Sequence, residues 1–106
     1  MITSEVQRIA VSAASSGDNT IKTAVTGKKL RVLACALVPA GAVTARFESA
    51  AGGTALTGEM QLGANTPLVL PYNPAGWFET VAGELLNLEL SDAVSVDGVL
   101  DYVEVG

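Results

Sequence analysis

Histidine is absent from these 106 residues, and cysteine occurs once, as Cys35. Without an imidazole the chain lacks the side chain most often used as a general base and as a metal ligand. A single thiol excludes an intrachain disulfide, a CxxC redox pair and any multi-cysteine metal site. Aromatic residues are few: Phe47, Tyr72, Trp77, Phe78 and Tyr102. Bases are missing from the whole second half, where residues 54–106 carry eight acids, whereas residues 1–53 carry six bases and three acids. The resulting net charge of −5 opposes nonspecific attraction to nucleic acid or anionic lipid, so neither is expected as a partner. The longest uncharged apolar run, Val32–Val43, is broken by Pro39 and Gly41 and falls short of the roughly 18 residues of a membrane span. Glu5 and Arg8 interrupt the amino-terminal segment where a secretory signal needs apolar residues, so synthesis in a reducing cytoplasm is expected.

What is present in quantity is apolar side chain. Hydrophobic residues make up 49% of the chain and charged residues 16%, and the mean hydropathy is +0.41. A chain of this length predicts one domain over residues 1–106, with residues 1–8 as an amino-terminal arm. So small a domain has much surface to cover, and large apolar patches are uncommon on soluble monomers. An Ala-rich surface would account for part of the surplus; burial between subunits accounts for more of it.

Hydrophobic patterning is β throughout. Short runs rich in Val, Leu, Thr and Ala recur about every ten residues between Gly, Asn, Asp and Pro, as in an antiparallel sandwich or barrel. The expected strands are 7–13, 20–25, 29–38, 43–49, 55–62, 68–71, 77–80, 85–91 and 95–105. Val43, Ala45 and Phe47 alternate with Thr44, Arg46 and Glu48, and Leu86, Leu88 and Leu90 alternate with Asn87 and Glu89, as in strands with one buried face. From Leu30 to Val38 both parities are apolar beyond Arg31, which predicts cover on both faces. Asp97-Gly98 lies between apolar residues and reads as a bulge or bend inside one long strand. Pro71 and Pro74 make residues 71–76 a rigid loop. The fold class expected is all-β, an antiparallel β-sandwich of jelly-roll or Greek-key type with eight to nine strands.

Catalytic groups are hard to assemble from this inventory. A Ser–Lys dyad from Lys22, Lys28 or Lys29 has nothing to distinguish it from ordinary turn lysines, and Cys35 reads as a small core residue. Glu79 with Glu84, and Asp97 with Asp101, are paired carboxylates of the kind a glycosidase uses, but a domain this small offers little room for its cleft. Asp92, Asp97 and Asp101 lack the spacing of a calcium loop. Gly53 to Gly58 has phosphate-loop glycine spacing, yet Glu59 and Met60 stand where Lys and Ser or Thr are required. No enzyme, metal or cofactor is expected. Tyr72, Trp77 and Phe78 bracket the proline loop, as core or subunit-contact anchors in the favoured reading and as a sugar-stacking site in the alternative.

Several segments, Thr26-Gly-Lys-Lys-Leu-Arg-Val-Leu, Gly41-Ala-Val-Thr-Ala-Arg-Phe-Glu-Ser, Gly53-Thr-Ala-Leu-Thr-Gly, Pro74-Ala-Gly-Trp-Phe-Glu-Thr, Gly83-Glu-Leu-Leu-Asn-Leu-Glu-Leu-Ser and Gly98-Val-Leu-Asp-Tyr, give residues 20–105 a texture that resembles small β-sandwich proteins of tailed bacteriophages. Several of these are head decoration, or cement, proteins. The resemblance implies a jelly-roll-like module, often trimeric, that sits on the capsid surface of the virion, reinforces contacts of the major capsid protein and is made in the host cytoplasm. Tail and fibre proteins use similar sandwiches, which leaves a carbohydrate- or receptor-binding module as the alternative. The residues expected at interfaces are Lys28, Lys29, Arg31, Leu33, Leu37, Tyr72, Trp77, Val99 and Val103. The basic turn Gly27–Arg31 is expected to meet an acidic surface on a neighbour, in a contact that added salt would weaken.

Overall fold

Residues 5–106 are described by a computed structural model, and Met1–Ser4 of the expected arm lie outside the described residues. The arm's last residues, Gln7 and Arg8, already belong to the first strand. Ten strands follow in order: β1 Gln7–Ala13, β2 Gly17–Lys22, β3 Lys29–Pro39, β4 Val43–Ser49, β5 Thr54–Ala55, β6 Met60–Leu62, β7 Leu68–Leu70, β8 Phe78–Glu79, β9 Leu86–Leu90 and β10 Val96–Val105. They form two five-stranded antiparallel sheets. The first runs β1-β10-β3-β7 with β8 also on β3, and the second runs β2-β9-β4-β5 with β6 also on β4.

The count exceeds the expected eight to nine strands because one expected strand, 55–62, is interrupted. Between β5 and β6 the Leu56 amide donates to the Phe47 carbonyl (2.8 Å), and the Thr57 hydroxyl accepts from the Phe47 amide (3.0 Å). A side chain thus replaces the strand partner for one position of β4. With β5/β6 and β7/β8 each counted as one broken strand, the chain crosses between sheets in the wiring of a jelly roll.

Alternation decides what lies between the sheets. Leu86, Leu88 and Leu90 of β9 and Val43, Ala45 and Phe47 of β4 face Leu30, Val32, Cys35 and Leu37 of β3 and Val96, Leu100 and Tyr102 of β10. Phe78 closes one end, its ring centroid 5.0 Å from that of Phe47. The inward positions of β3 change parity between Val32 and Cys35. The register explains it: Tyr102 opposes Val32 while Asp101 opposes Ala34, so Leu33 is an extra residue, a β-bulge. The apolar character of both parities in this strand is partly this change of phase. Gly98 is indeed inside one unbroken strand, but the bulge is at Leu33. A Cβ on Gly98 would collide with the Ala36 carbonyl, which is why no side chain stands there.

Candidate interaction face

The outer surfaces of the two sheets differ in kind. On the second sheet the outward positions carry Asp18, Thr44, Arg46, Glu48, Asn87 and Glu89. Glu48 is fully buried there despite its outward parity. One carboxylate oxygen accepts from Arg46 Nε (2.7 Å) and the other from Asn87 Nδ2 (2.9 Å). Asn87 Nδ2 also donates to Asp18 (2.9 Å), while its carbonyl accepts the Asn19 amide (2.9 Å). Arg46 reaches Glu89 as well (3.3 Å). Among the described residues Asp18, Glu48 and Glu89 are the acidic trio whose oxygens converge, to within 4.8 Å. Its oxygens already take hydrogen bonds or an ion pair from Arg46 and Asn87, so this face is a satisfied polar network. Asp92, Asp97 and Asp101 are not among the acids whose oxygens converge, and Asp101 is held by Arg8.

On the first sheet the outward positions form an apolar row that crosses four strands: Ala10 beside Val99, Val99 beside Ala36, Ala36 beside Val69. Val38 extends it on β3, and Val38, Val69, Val99 and Tyr72 are all exposed. Between the Val69 and Val99 flanks the small side chains of Ala34 and Ala36 leave a cleft of about 270 Å³, walled by Pro71 and Tyr72 and ended by Arg8 and Asp101. Arg8 grips Asp101 with two parallel hydrogen bonds, 2.7 and 3.2 Å. Those bonds hold the Asp101 carboxyl below the usual carboxylate range. Cys35 backs the cleft from the core side, and burial pushes its thiol up to about 11, so it is protonated and unreactive at neutral pH.

The proline loop is tied down at both ends. The Asn73 amide donates to the Leu33 carbonyl (2.9 Å) and the Trp77 amide to the Val32 carbonyl (2.8 Å), so the loop pairs with β3 where the bulge opens it. Trp77 Nε1 donates back to the Pro71 carbonyl (2.8 Å). Gly76, at φ +85°, packs against the Arg31 side chain. The three aromatic residues around this loop therefore separate in role: Phe78 packs on the core, while Trp77 is 44% and Tyr72 60% exposed.

The expected interface residues fall into three groups. Val99, Tyr72 and Trp77 are exposed on or beside the apolar face. Leu37 lies wholly in the inter-sheet core, while Leu33 and Val103 are buried without belonging to that core cluster. Leu37 is thus packed against the opposite sheet, one of the two placements its strand allowed. Lys29 and Arg31 both bind Glu79, at 3.3 and 2.9 Å, and only Lys28 of this basic turn has no carboxylate partner among the described residues. Sequence reasoning passed over Ala34, Ala36 and Val69, although the apolar outward parity after Leu33 is their signal once the bulge is placed. No family model, curated protein or solved structure matches this chain.

Proposed function

We propose that the chain is a structural virion protein of a tailed bacteriophage, a capsid decoration or cement protein. In this reading it self-associates, as a trimer, on the head surface and stabilises contacts of the major capsid protein. The observation that carries the reading is the apolar outer face of the first sheet, set against the charged and satisfied outer face of the second. Burying apolar area contributes about 25 cal/mol per Å², and a contact repeated over many linked copies gains further through effective concentration. Jelly rolls occur in viral capsid and lectin domains alike, so the wiring fits this reading without selecting it.

Light scattering on a size-exclusion column and co-sedimentation with undecorated capsids test it. The wild-type chain is expected to self-associate and pellet with capsids, and Val69→Asp, which puts a charge on the exposed far flank of the face, to lose the trimer and the capsid contact while keeping its β circular dichroism. A monomer that ignores capsids at high concentration overturns the proposal.

Exposure of Tyr72 and Trp77 on one loop supports the second reading, a tail- or fibre-borne module that stacks sugars. Glycan-array binding abolished by Trp77→Ala favours it; capsid binding untouched by that substitution counts against it.

A further inference from the structure

Each sheet of the sandwich has two edges, and three of the four are blunted. On the first sheet the edge beside β3 is split into β7 and β8, of three and two residues, with β7 bracketed by Pro67 and Pro71. On the second sheet the edge beside β4 is split into β5 and β6, of two and three residues. Its other edge, β2, has its register broken between Thr20 and Lys22 and carries Asp18 and Lys22. Short pieces, prolines, bulges and outward charges are the devices by which sheets avoid pairing with other chains.

β1 is neither short, proline-bearing nor bulged. It runs seven residues in unbroken register with β10, from Gln7 opposite Tyr102 to Ala13 opposite Val96. It contains no proline, glycine or lysine. Its one charge, Arg8, is turned onto Asp101 of its own chain. No strand among the described residues pairs with its other side. Ile9 faces the core yet stays partly exposed, as a side chain does at an open end of a sandwich.

We infer that the open edge of β1 pairs antiparallel with β1 of a second copy, about a two-fold axis through Ala10. The sequence of the strand is self-complementary in that register. All seven residues overlap; Ile9 meets Val11 of the second copy on the inner face, and Arg8 meets Ser12 on the outer face. Gln7 meets Ala13, and two small Ala10 side chains meet at the axis. No like charges face one another, whereas moving the axis to Arg8 would set two guanidinium groups opposite each other at a cost. Pairing would join two first sheets into one and make their apolar rows continuous, since Ala10 begins each row. The inference rests on the self-association reading only in taking a second copy as the occupant; it uses an edge, whereas that reading uses a face.

The test places single residues at the axis. Ala10 is exposed and points outward, so substitutions there leave the core alone. Ala10→Cys is expected to give a disulfide-linked dimer under mild oxidation, because directly opposed Cβ atoms approach to about 4.5 Å, the upper end of disulfide reach, while Ser12→Cys, which faces Arg8 of the other copy, is not. Cross-linking of Ala10→Cys is expected to survive Val69→Asp on the far edge. Ala10→Lys and Ala10→Glu, each alone, are expected to weaken the dimer at least tenfold, and an equimolar mixture of the two to restore it. A wild-type chain that stays monomeric overturns both readings. An oligomer whose Ala10→Cys variant fails to cross-link, and which the mixture does not rescue, overturns the edge pairing alone.

Discussion

Two residues illustrate how single positions are held by what surrounds them. Gly98 sits in the middle of β10 opposite Leu37, and a methyl group there would run into the Ala36 carbonyl, which is backbone and cannot rotate away. Gly98→Ala is therefore expected to destabilise the fold by about 3 kcal/mol or more, at the upper end of overpacking costs, as read by urea denaturation. Asn87 is the neutral bridge between two acids, its amide donating to Asp18 and to the buried Glu48, both at 2.9 Å. Asn87→Ala removes that donor and leaves Glu48 short of a partner, at a cost of about 1–3 kcal/mol. Asn87→Asp is worse at neutral pH, because a third carboxylate would face two others. Like charges and burial raise the pKa of such an acid in the folded state above its unfolded value. The sign follows: the variant is expected to be destabilised most where the new acid is ionised only in the unfolded chain or forced to ionise in the fold, and to recover relative to wild type as pH falls through the carboxylate range. Thermal melts at several pH values check this, and a deficit that does not shrink on acidification contradicts the role given to Asn87.

At the level of elements, the two-residue strand β8 has little ladder of its own, and its attachment to β3 is reinforced by side chains. Glu79 accepts from Arg31 (2.9 Å) and pairs with Lys29 (3.3 Å), and Leu30's amide donates to the Thr80 hydroxyl (2.9 Å). The Arg31 hydrogen bond, ahead of the Lys29 one, lowers the Glu79 pKa in the fold. A carboxylate with a lowered folded pKa adds stability that is full above its unfolded pKa and is lost as pH falls through the folded value. Glu79→Gln is thus expected to lower the melting temperature slightly at neutral pH and to leave a smaller acid-induced drop between neutral and about pH 3 than wild type shows. A drop of unchanged size means that Glu79 does not contribute. The elements themselves were largely legible in the sequence. β1 and β4 have the expected bounds because alternation and flanking turn residues leave little choice of register, and β3, where both parities are apolar, gains only Pro39 between its flanking turns. The bulge at Leu33 and the break between β5 and β6 were not legible, since each depends on a partner strand or on a Thr57 hydroxyl brought in by the fold. Glu48 and Asn87 have the outward parity that alternation assigned them, yet they are buried within the network of Arg46 and Asp18, the latter also bonded by the Gly52 amide, and parity carries no information about such partners. The apolar face was half legible: the excess of apolar residues in β3 indicated a covered outer side, but only the register shows Ala10, Val99, Ala36 and Val69 in one row.

Across the whole molecule the separation of charge along the chain is undone by the fold. Antiparallel pairing places β10 between β1 and β3, so acids of the second half meet bases of the first: Arg8 binds Asp101, Lys29 and Arg31 bind Glu79, and Arg46 binds Glu89 as well as Glu48. The sequence suggested a molecule with a free basic turn at Gly27–Arg31 whose docking salt would weaken. In the fold Lys29 and Arg31 of that turn are engaged internally, which leaves Lys28 to act outward. Two copies approaching each other each carry a net charge of −5, so the long-range term between them is repulsive. Apolar burial is barely affected by moderate salt, whereas repulsion is screened as the Debye length shrinks from about 30 Å at 0.01 M to about 10 Å at 0.1 M. Self-association is therefore expected to tighten, or at least not to weaken, over that range, the reverse of the sign drawn from the sequence. Sedimentation velocity at both ionic strengths decides the matter: dissociation by added salt would return the contact to the basic turn and remove it from the apolar face.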